Sequence, residues 1–512
     1  MVKLRIKTAP MAVIATVLVL FSCSEDYGSD KNVNPFAGAE SRIRQLMKRE
    51  EVASFQVAVG RDGKIIYRKA FGLANVDSKI PATDESMALA ASIEKPFFST
   101  AMMILHERGL VDLHAPVNDY LDGAKLVACQ GSAGDATVAR LMLHTTGLPY
   151  GYYIAGGQTA DEDRRDIDEL IALSGVLVVP PGTRYQYTNI GYDIFREIAR
   201  NAAGKPIKEF ITDEIIKPLG LEHTAFFDSV PPADMIVTQN AGSGVLPVSF
   251  DSEGYTPLYS TATDLVRFGM FHLKSNVPEG VSVLPDSSID MLWRYKDPGV
   301  ELTNRRLAWY VGEEFGFPVL QHGGGGPGIH TRLYLIPSEN VAVAFMSNAQ
   351  YSNPHSDPVL AELIRVAVTS SEKFSRKRKS GERIRYPELK PYKYRGEWAG
   401  IIKGPKGECG IKVRFDLLGR PEIMISGDSC SGGKWVRATA GPKKDYGSLL
   451  WRFNACIPYL ASQAPHDEVI VTLWPQGELL VGHAAAAREK DYGRVENYVL
   501  PQCLELTFRR KP

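Results

Sequence analysis

The chain lacks an excess of either charge: lysine plus arginine and aspartate plus glutamate each number 59 in 512 residues. Such a balance offers no overall attraction to nucleic acid or to an anionic surface, and no polyanionic partner is expected. Cysteine is scarce, six in all, and Cys23, Cys129, Cys409, Cys430, Cys456 and Cys503 fall at spacings that match no zinc or redox motif. The histidines form no His-x-x-x-His or Cys/His cluster, so neither a catalytic metal nor another cofactor is expected. Long apolar runs are missing too. The uncharged, mostly apolar run near the start, Ala9 to Phe21, is shorter than the ~20 residues that a membrane-spanning helix needs.

What is present at the N-terminus has the layout of an export signal, with Lys3, Arg5 and Lys7 ahead of that stretch. Leu20-Phe21-Ser22-Cys23 resembles a lipobox, which implies cleavage after residue 22 and lipid attachment at Cys23. Residues 1–22 are thus expected to be a lipoprotein signal and 23–35 a polar tether, with the protein in the bacterial cell envelope and a lipid as its sole membrane contact. Four of the remaining cysteines lie in the last quarter of the chain, where an exported protein can form one or two bridges.

With 44% hydrophobic and 23% charged residues, the chain can build more than one core. A helical pattern from Phe36 to Lys48 leads into short strands at Phe55–Gly60 and Lys64–Ala70, joined across Arg61-Asp62-Gly63. Helices are expected after Ser92, over Val138–Leu143, from Tyr192 to about Asn201, over Leu265–Leu273 behind a Ser260-Thr261 cap, and over Pro358–Thr369. Strand-like runs flank a glycine cluster at 323–326, and Arg332–Ile336 with Val341–Met346 read as a hairpin. Strands at both ends with helices between them predict an α+β domain over 36–369. The mostly polar stretch from Gly156 to Asp168 reads as a surface excursion. Ser370–Arg385, with Lys373, Arg376, Lys377, Arg378 and Lys379, reads as a solvated linker. Beyond it, period-two alternation such as Ile411, Val413, Phe415 and Leu417 predicts a separate all-β unit over 386–512, a small barrel or sandwich.

The stretch Ala91-Ser92-Ile93-Glu94-Lys95-Pro96 carries the chemistry. A serine hydroxyl needs a proton acceptor within hydrogen-bond reach before it can attack a carbonyl, and three residues along a helix bring Lys95 to the same face as Ser92. Ser-x-x-Lys also occurs at Ser370/Lys373 and Ser431/Lys434, but neither copy is followed by an apolar helical pattern. Downstream come Tyr187-Thr188-Asn189 and His322-Gly323-Gly324, in that order. A second Tyr-x-Asn, Tyr351-Ser352-Asn353, lies after the glycine cluster and has no helix expected directly behind it.

Together with Leu143-His144-Thr145-Thr146-Gly147-Leu148-Pro149 and Ser260-Thr261-Ala262-Thr263-Asp264-Leu265, these motifs resemble the serine β-lactamase and penicillin-binding protein family. The likeness is greatest to its class C-like esterases, D-aminopeptidases and DD-peptidases. The resemblance covers roughly Phe36 to Thr369 and implies a β-lactamase/transpeptidase-like fold with an antiparallel sheet. It implies that Ser92 is acylated and that Lys95, its pKa lowered by desolvation, takes or relays the proton. Tyr187 acts as base or passes the proton to the leaving group. Asn189 would orient Lys95 and bind the substrate amide, and the N–H groups of Ser92 and Gly325, beside Gly324, would form the oxyanion hole. His322 stands where many relatives carry a lysine that meets a substrate carboxylate. A mostly neutral imidazole favours a peptidase- or esterase-like hydrolase over an efficient β-lactamase. The alternatives are a β-lactamase, or a penicillin-recognising protein that binds cell-wall fragments without turnover. His144, at a helix end, reads as structural. Tyr394-Arg395-Gly396-Glu397-Trp398 looks like the opening of the lipocalin-like barrel that follows the catalytic domain in some members.

Overall fold

In the computed structural model, residues 34–149, 155–156, 166–227, 248–249, 257–275, 281–300, 304–326, 328–349, 353–375, 391–404, 407–426, 433–445, 448–455, 468–476, 479–487 and 500–508 are described. Cys23 and the export signal lie outside them, as does most of the Gly156–Asp168 excursion. The last residues of that excursion begin a helix, capped where the Asp166 carboxylate accepts the Glu169 N–H at 2.7 Å.

The helices are α1 (Ala37–Arg49), α2 (Glu94–Glu107), α3 (Val138–Leu143), α4 (Ile167–Ser174), α5 (Ile190–Ala203), α6 (Ile207–Ile211), α7 (Ala262–His272), α8 (Asp286–Arg294) and α9 (Asn353–Ala367). The strands used below are β1 (Ser54–Arg61), β2 (Lys64–Asn75), β3 (Ile80–Pro81), β4 (Val127–Ala128), β5 (Val176–Leu177), β6 (Tyr310–Glu314), β7 (Phe317–Gly326), β8 (Ile329–Ile336) and β9 (Val341–Ser347). They are followed in the C-terminal region by β10 (Gly396–Gly404), β11 (Gly407–Phe415), β12 (Pro421–Ile425), β13 (Val436–Asp445), β14 (Ser448–Phe453), β15 (Glu468–Gln476), β16 (Leu479–Ala487) and β17 (Leu500–Phe508).

Alternation along β1 decides the layering of the first region. Phe55, Val57 and Val59 enter a core with Ile43 and Leu46 of α1 and Val359, Leu360, Leu363 and Ile364 of α9. Ala58 enters the opposite core with Val266 and Met270 of α7. The side facing α7 is built from small residues, and a Cβ at Gly60 would stand 2.6 Å from Val266 and Met270. Backbone and helix therefore approach closely enough to bury both. The antiparallel sheet runs β6-β7-β8-β9-β1-β2-β3, so the first strand pairs with the last one of the region, Phe55 opposite Ser347 and Arg61 opposite Val341. The β1–β2 hairpin turns where Asp62 and Gly63 both take positive φ, 51° and 74°, as the handedness of a tight hairpin demands.

Helix α2 is buried from Glu94 through Leu105. Its hydroxyls are absorbed internally: Ser99 Oγ donates to Leu307 O at 2.9 Å and Thr100 Oγ1 to Pro96 O at 2.8 Å. Helix α9 starts at Asn353, so Tyr351-Ser352-Asn353 does precede a helix directly. Pro354 and Pro358 hid that start: Pro354 stands in the first turn, where an N–H has no partner to lose, whereas Pro358 lies inside the helix and forgoes one backbone bond. The basic run after Thr369 is also partly ordered. Ser375 N–H donates to Phe315 O at 2.8 Å and Phe374 stacks on Phe315, pinning the beginning of the run to the β6–β7 turn.

The last region is all-β. Its eight strands pair antiparallel in chain order, and β17 returns to β10, Trp398 opposite Phe508, which closes the ring. Trp398, Ile402, Val413, Phe415, Trp451, Phe453 and Leu473 fill the interior.

His272, fully buried on α7, sets one consequence for stability. Trp309 Nε1 donates to its Nδ1 at 3.3 Å, which leaves Nε2–H to face Thr100 Oγ1 at 3.2 Å, so a second ring proton would oppose the indole N–H. Burial holds this imidazole down to a pKa of about 3. The unfolded chain therefore takes up a proton below about pH 6.5 that the folded ring refuses, and stability falls on acidification by about 1.4 kcal/mol per pH unit from this group alone. Urea unfolding at pH 7, 6 and 5 should show that much less slope in His272→Gln; an unchanged slope would assign the acid sensitivity elsewhere.

Candidate active site

The chain reaches Ser92 through a backbone that few residues adopt. Ala91, not a glycine, has φ of 50°, a conformation that persists only where its surroundings over-determine it. Here β8 and β7 do so. Thr331 Oγ1 donates to Ala90 O at 3.1 Å, and Gly324 lies so close that a Cβ there would stand 2.4 Å from Ala90 O. A short 3-10 turn, Ala91–Ile93, then passes into α2. Ser92 thus sits at the N-terminal end of a buried helix, where the dipole favours developing negative charge.

Two side chains converge on its hydroxyl. Tyr187 OH lies 2.9 Å from Ser92 Oγ and donates to it, and Lys95 Nζ lies 3.4 Å away. Lys95 is 3% exposed. Its amine rests 5.2 Å from the Tyr187 ring centroid and 4.8 Å from that of Tyr192, so burial opposes an ammonium while the ring faces favour one.

His144 braces the Tyr187 segment from below. It ends α3 in the left-handed region, its carbonyl accepts the Gln186 N–H at 2.8 Å, and its Nδ1 accepts the Thr188 N–H at 3.2 Å. Its ring lies 4.5 Å from the Tyr187 ring. The residue is structural, as its place at a helix end suggested, yet what it holds is the Tyr187 phenol. Asn189 begins α5, and its buried Oδ1 makes no hydrogen bond. The oxygen that would have to accept from Lys95 is therefore not engaged in orienting it, which corrects half of the role expected for Asn189. Thr146 Oγ1, Gln186 Oε1 and Thr188 Oγ1 are buried without a partner as well. Such atoms are uncommon in folded proteins, and these lie in the Tyr187 motif or in the segments that flank it.

As expected for the strand lining the cleft, β7 runs through the glycine cluster to Gly326, and β6 begins opposite Gln321, so the run 322–326 extends past that neighbour. Gly324 faces the Ser92 turn, and alternation puts His322 on that same face and Gly325 on the other. His322 is 2% exposed, its Nδ1–H donates to Gly323 O at 3.0 Å, and its Nε2 is unpartnered. Burial first, then the charges of Arg305 and Lys95, push its pKa well below the usual histidine value; burial and Arg305 do the same for His144. Both rings are neutral at pH 7.

Sequence reasoning missed the floor of the site. Arg305, fully buried, donates to Tyr192 OH at 3.1 Å and lies 4.9 Å from the Tyr310 ring, and Tyr310 OH meets Tyr185 OH at 2.7 Å. Tyr185 and Tyr192 flank the Tyr187 motif, a signal within reach; an arginine among basic and polar neighbours reads as solvated and gave none. Among the described residues no group of three or more His, Cys, Asp and Glu side chains forms a metal site.

The model of the family described as Beta-lactamase matches residues 39–368. Esterase EstB of Burkholderia gladioli is 28% identical over 200 residues, 36% of this chain and 50% of that protein. The D-alanyl-D-alanine-carboxypeptidase/endopeptidase AmpH of Escherichia coli (strain K12) is 24% identical over 297 residues, 55% of this chain and 75% of that one. The chain thus spans about half the length of the esterase. The solved structure of SurE superposes with a TM-score of 0.57 at 18% identity, covering 90% of this chain and 96% of that one, a likeness of fold. With that model matched over more than half of its length, the chain belongs to the β-lactamase family.

Proposed function

We propose that this chain is a serine hydrolase that cleaves an amide or ester bond through an acyl-enzyme at Ser92, with peptidase- or esterase-like substrates preferred over β-lactams. The observation that carries the proposal is the convergence of Tyr187 OH and Lys95 Nζ on one Oγ inside a largely buried crevice. Ser92 Oγ attacks the carbonyl as its proton passes into the Tyr187–Lys95 pair. The oxyanion forms against the N–H groups of Ser92 and Gly325, and the same proton returns to the departing amine or alcohol. Water then repeats the sequence on the acyl-serine.

The substrate preference is supported by His322. A buried, neutral imidazole supplies no cation for a substrate carboxylate, and the esterase and carboxypeptidase similar to this chain act on bonds of the proposed kind. The unpartnered Asn189 Oδ1 supports a role for this side chain in binding the substrate amide. The export layout and lipobox-like Cys23 support attachment by lipid to the cell envelope. The up-and-down order of β10–β17 supports a lipocalin-like reading of the C-terminal region.

A panel of nitrocefin, a p-nitrophenyl ester and a D-alanyl peptide tests the proposal, with intact-mass detection and peptide mapping of the adduct. Ester or peptide turnover with an adduct on Ser92 and slow nitrocefin hydrolysis is the expected result. An adduct on another residue would overturn the mechanism, and nitrocefin as the fastest substrate would overturn the preference.

A further inference from the structure

Cys129 immediately follows β4 and is disulfide-bonded, whereas Cys409 carries a reduced thiol. Its backbone N–H donates to Leu177 O at 3.0 Å, which extends the parallel β4–β5 pairing of Val127 with Val176 and Ala128 with Leu177. Cys129 therefore lies beside the strand that continues into Val178 and Val179. This is where the C-terminal barrel docks. β17 packs against β5 and α4, and Val481 of β16 buries against Val179.

The strand register singles out one cysteine. Along β16, Leu480 and Ala484 belong to the barrel interior, while Val481 is buried outside it against the catalytic region. Position 483 shares the outer face with Val481, because strand side chains alternate. Cys503 of β17 pairs with His483, and the neighbouring Glu505 pairs with Val481. Cys503 thus occupies the outer, docked face, one register step from the Val481–Val179 contact.

We propose that Cys129 is bridged to Cys503, so that a covalent link fastens the barrel to the catalytic domain. Formation is a two-electron oxidation in which the two thiols lose two protons and their electrons reduce a small-molecule or protein disulfide to two thiols. The link bears on the site through the chain itself. Past Val179 the backbone is held to the α3 end by Val178 N–H to Gly147 O, Gly182 N–H to Thr145 O and Gln186 N–H to His144 O, and the next residue is Tyr187. The barrel is therefore tied to the segment that delivers the phenol.

The full chain, incubated with glutathione disulfide, alkylated without reduction and digested with trypsin, gives the test. Cys129 and Cys503 fall in peptides 126–140 and 495–509, each with no other cysteine. A linked pair of those two that separates on reduction is expected, and Cys503→Ser should leave Cys129 alkylated. Cys129 alkylated in the unaltered chain, linked to Cys430, Cys456 or Cys23, or still bridged in Cys503→Ser would overturn the proposal.

Discussion

Replacing Ser92 with alanine is expected to abolish the acyl adduct and to lower kcat/KM on the best substrate by on the order of 10^4 to 10^6-fold. The size follows from the geometry. Tyr187 and Lys95 meet at Ser92 Oγ, so deleting that atom removes the nucleophile and leaves both proton carriers without a shared partner. Members of a unit that acts together lose nearly all of its rate with the first deletion. The fold should tolerate the change, because one small hydroxyl is removed from a position held by Ala90, Thr331 and Gly324. Thermal unfolding within a few degrees of the parent, together with a silent fluorophosphonate label, is the expected pair of readings. Equal labelling of parent and variant would place the nucleophile elsewhere.

Tyr187→Phe should cost about 10^2 to 10^4-fold in kcat/KM, the usual worth of a positioned acid or base. The ring remains to pack on His144, so the loss reports the phenol oxygen alone. Lys95→Met should fall in the same range, and the double variant should be little worse than either, since one proton path serves both. The pH profile adds a discriminating measurement. Burial and nearby cations hold the pKa values of His144 and His322 well below the ordinary 6.5, so neither ring titrates above that pH. An inflection of kcat/KM above pH 6.5 therefore belongs to the Tyr187–Lys95 pair as a unit and should move or vanish in Tyr187→Phe. An inflection that survives there but disappears in His322→Asn would reverse the assignment.

The three chemical groups were legible because each lies in a short motif whose local structure sets its direction: Lys95 one turn above Ser92, and Tyr187 just ahead of a helix. The inner strands of the sheet and the hairpin were legible for the same reason, since period-two alternation and Asp62-Gly63 act over a few residues; the edge strands β6 and β3 were not anticipated. What escaped notice is assembled from distant segments. Nothing near Arg305 announces that its guanidinium lies beneath Tyr192 and Tyr310, and nothing near Ser99 names Leu307 O as its acceptor. The glycine motif, expected on the strand lining the cleft, lies there. Gly324 sits against the Ser92 turn, where a Cβ would collide with Ala90 O.

The union of β1 with β9 has a consequence for biogenesis. A ribosome that has made Ser54 must add about 290 further residues, on the order of 15–60 s of elongation at bacterial speeds, before that strand meets its Ser347 neighbour. Throughout that interval the nascent polypeptide holds half of a hydrophobic layer with no mate, a template that chaperones must shield from self-association. The same delay keeps the domain open to unfolding forces until the last strand of its sheet arrives to lock it.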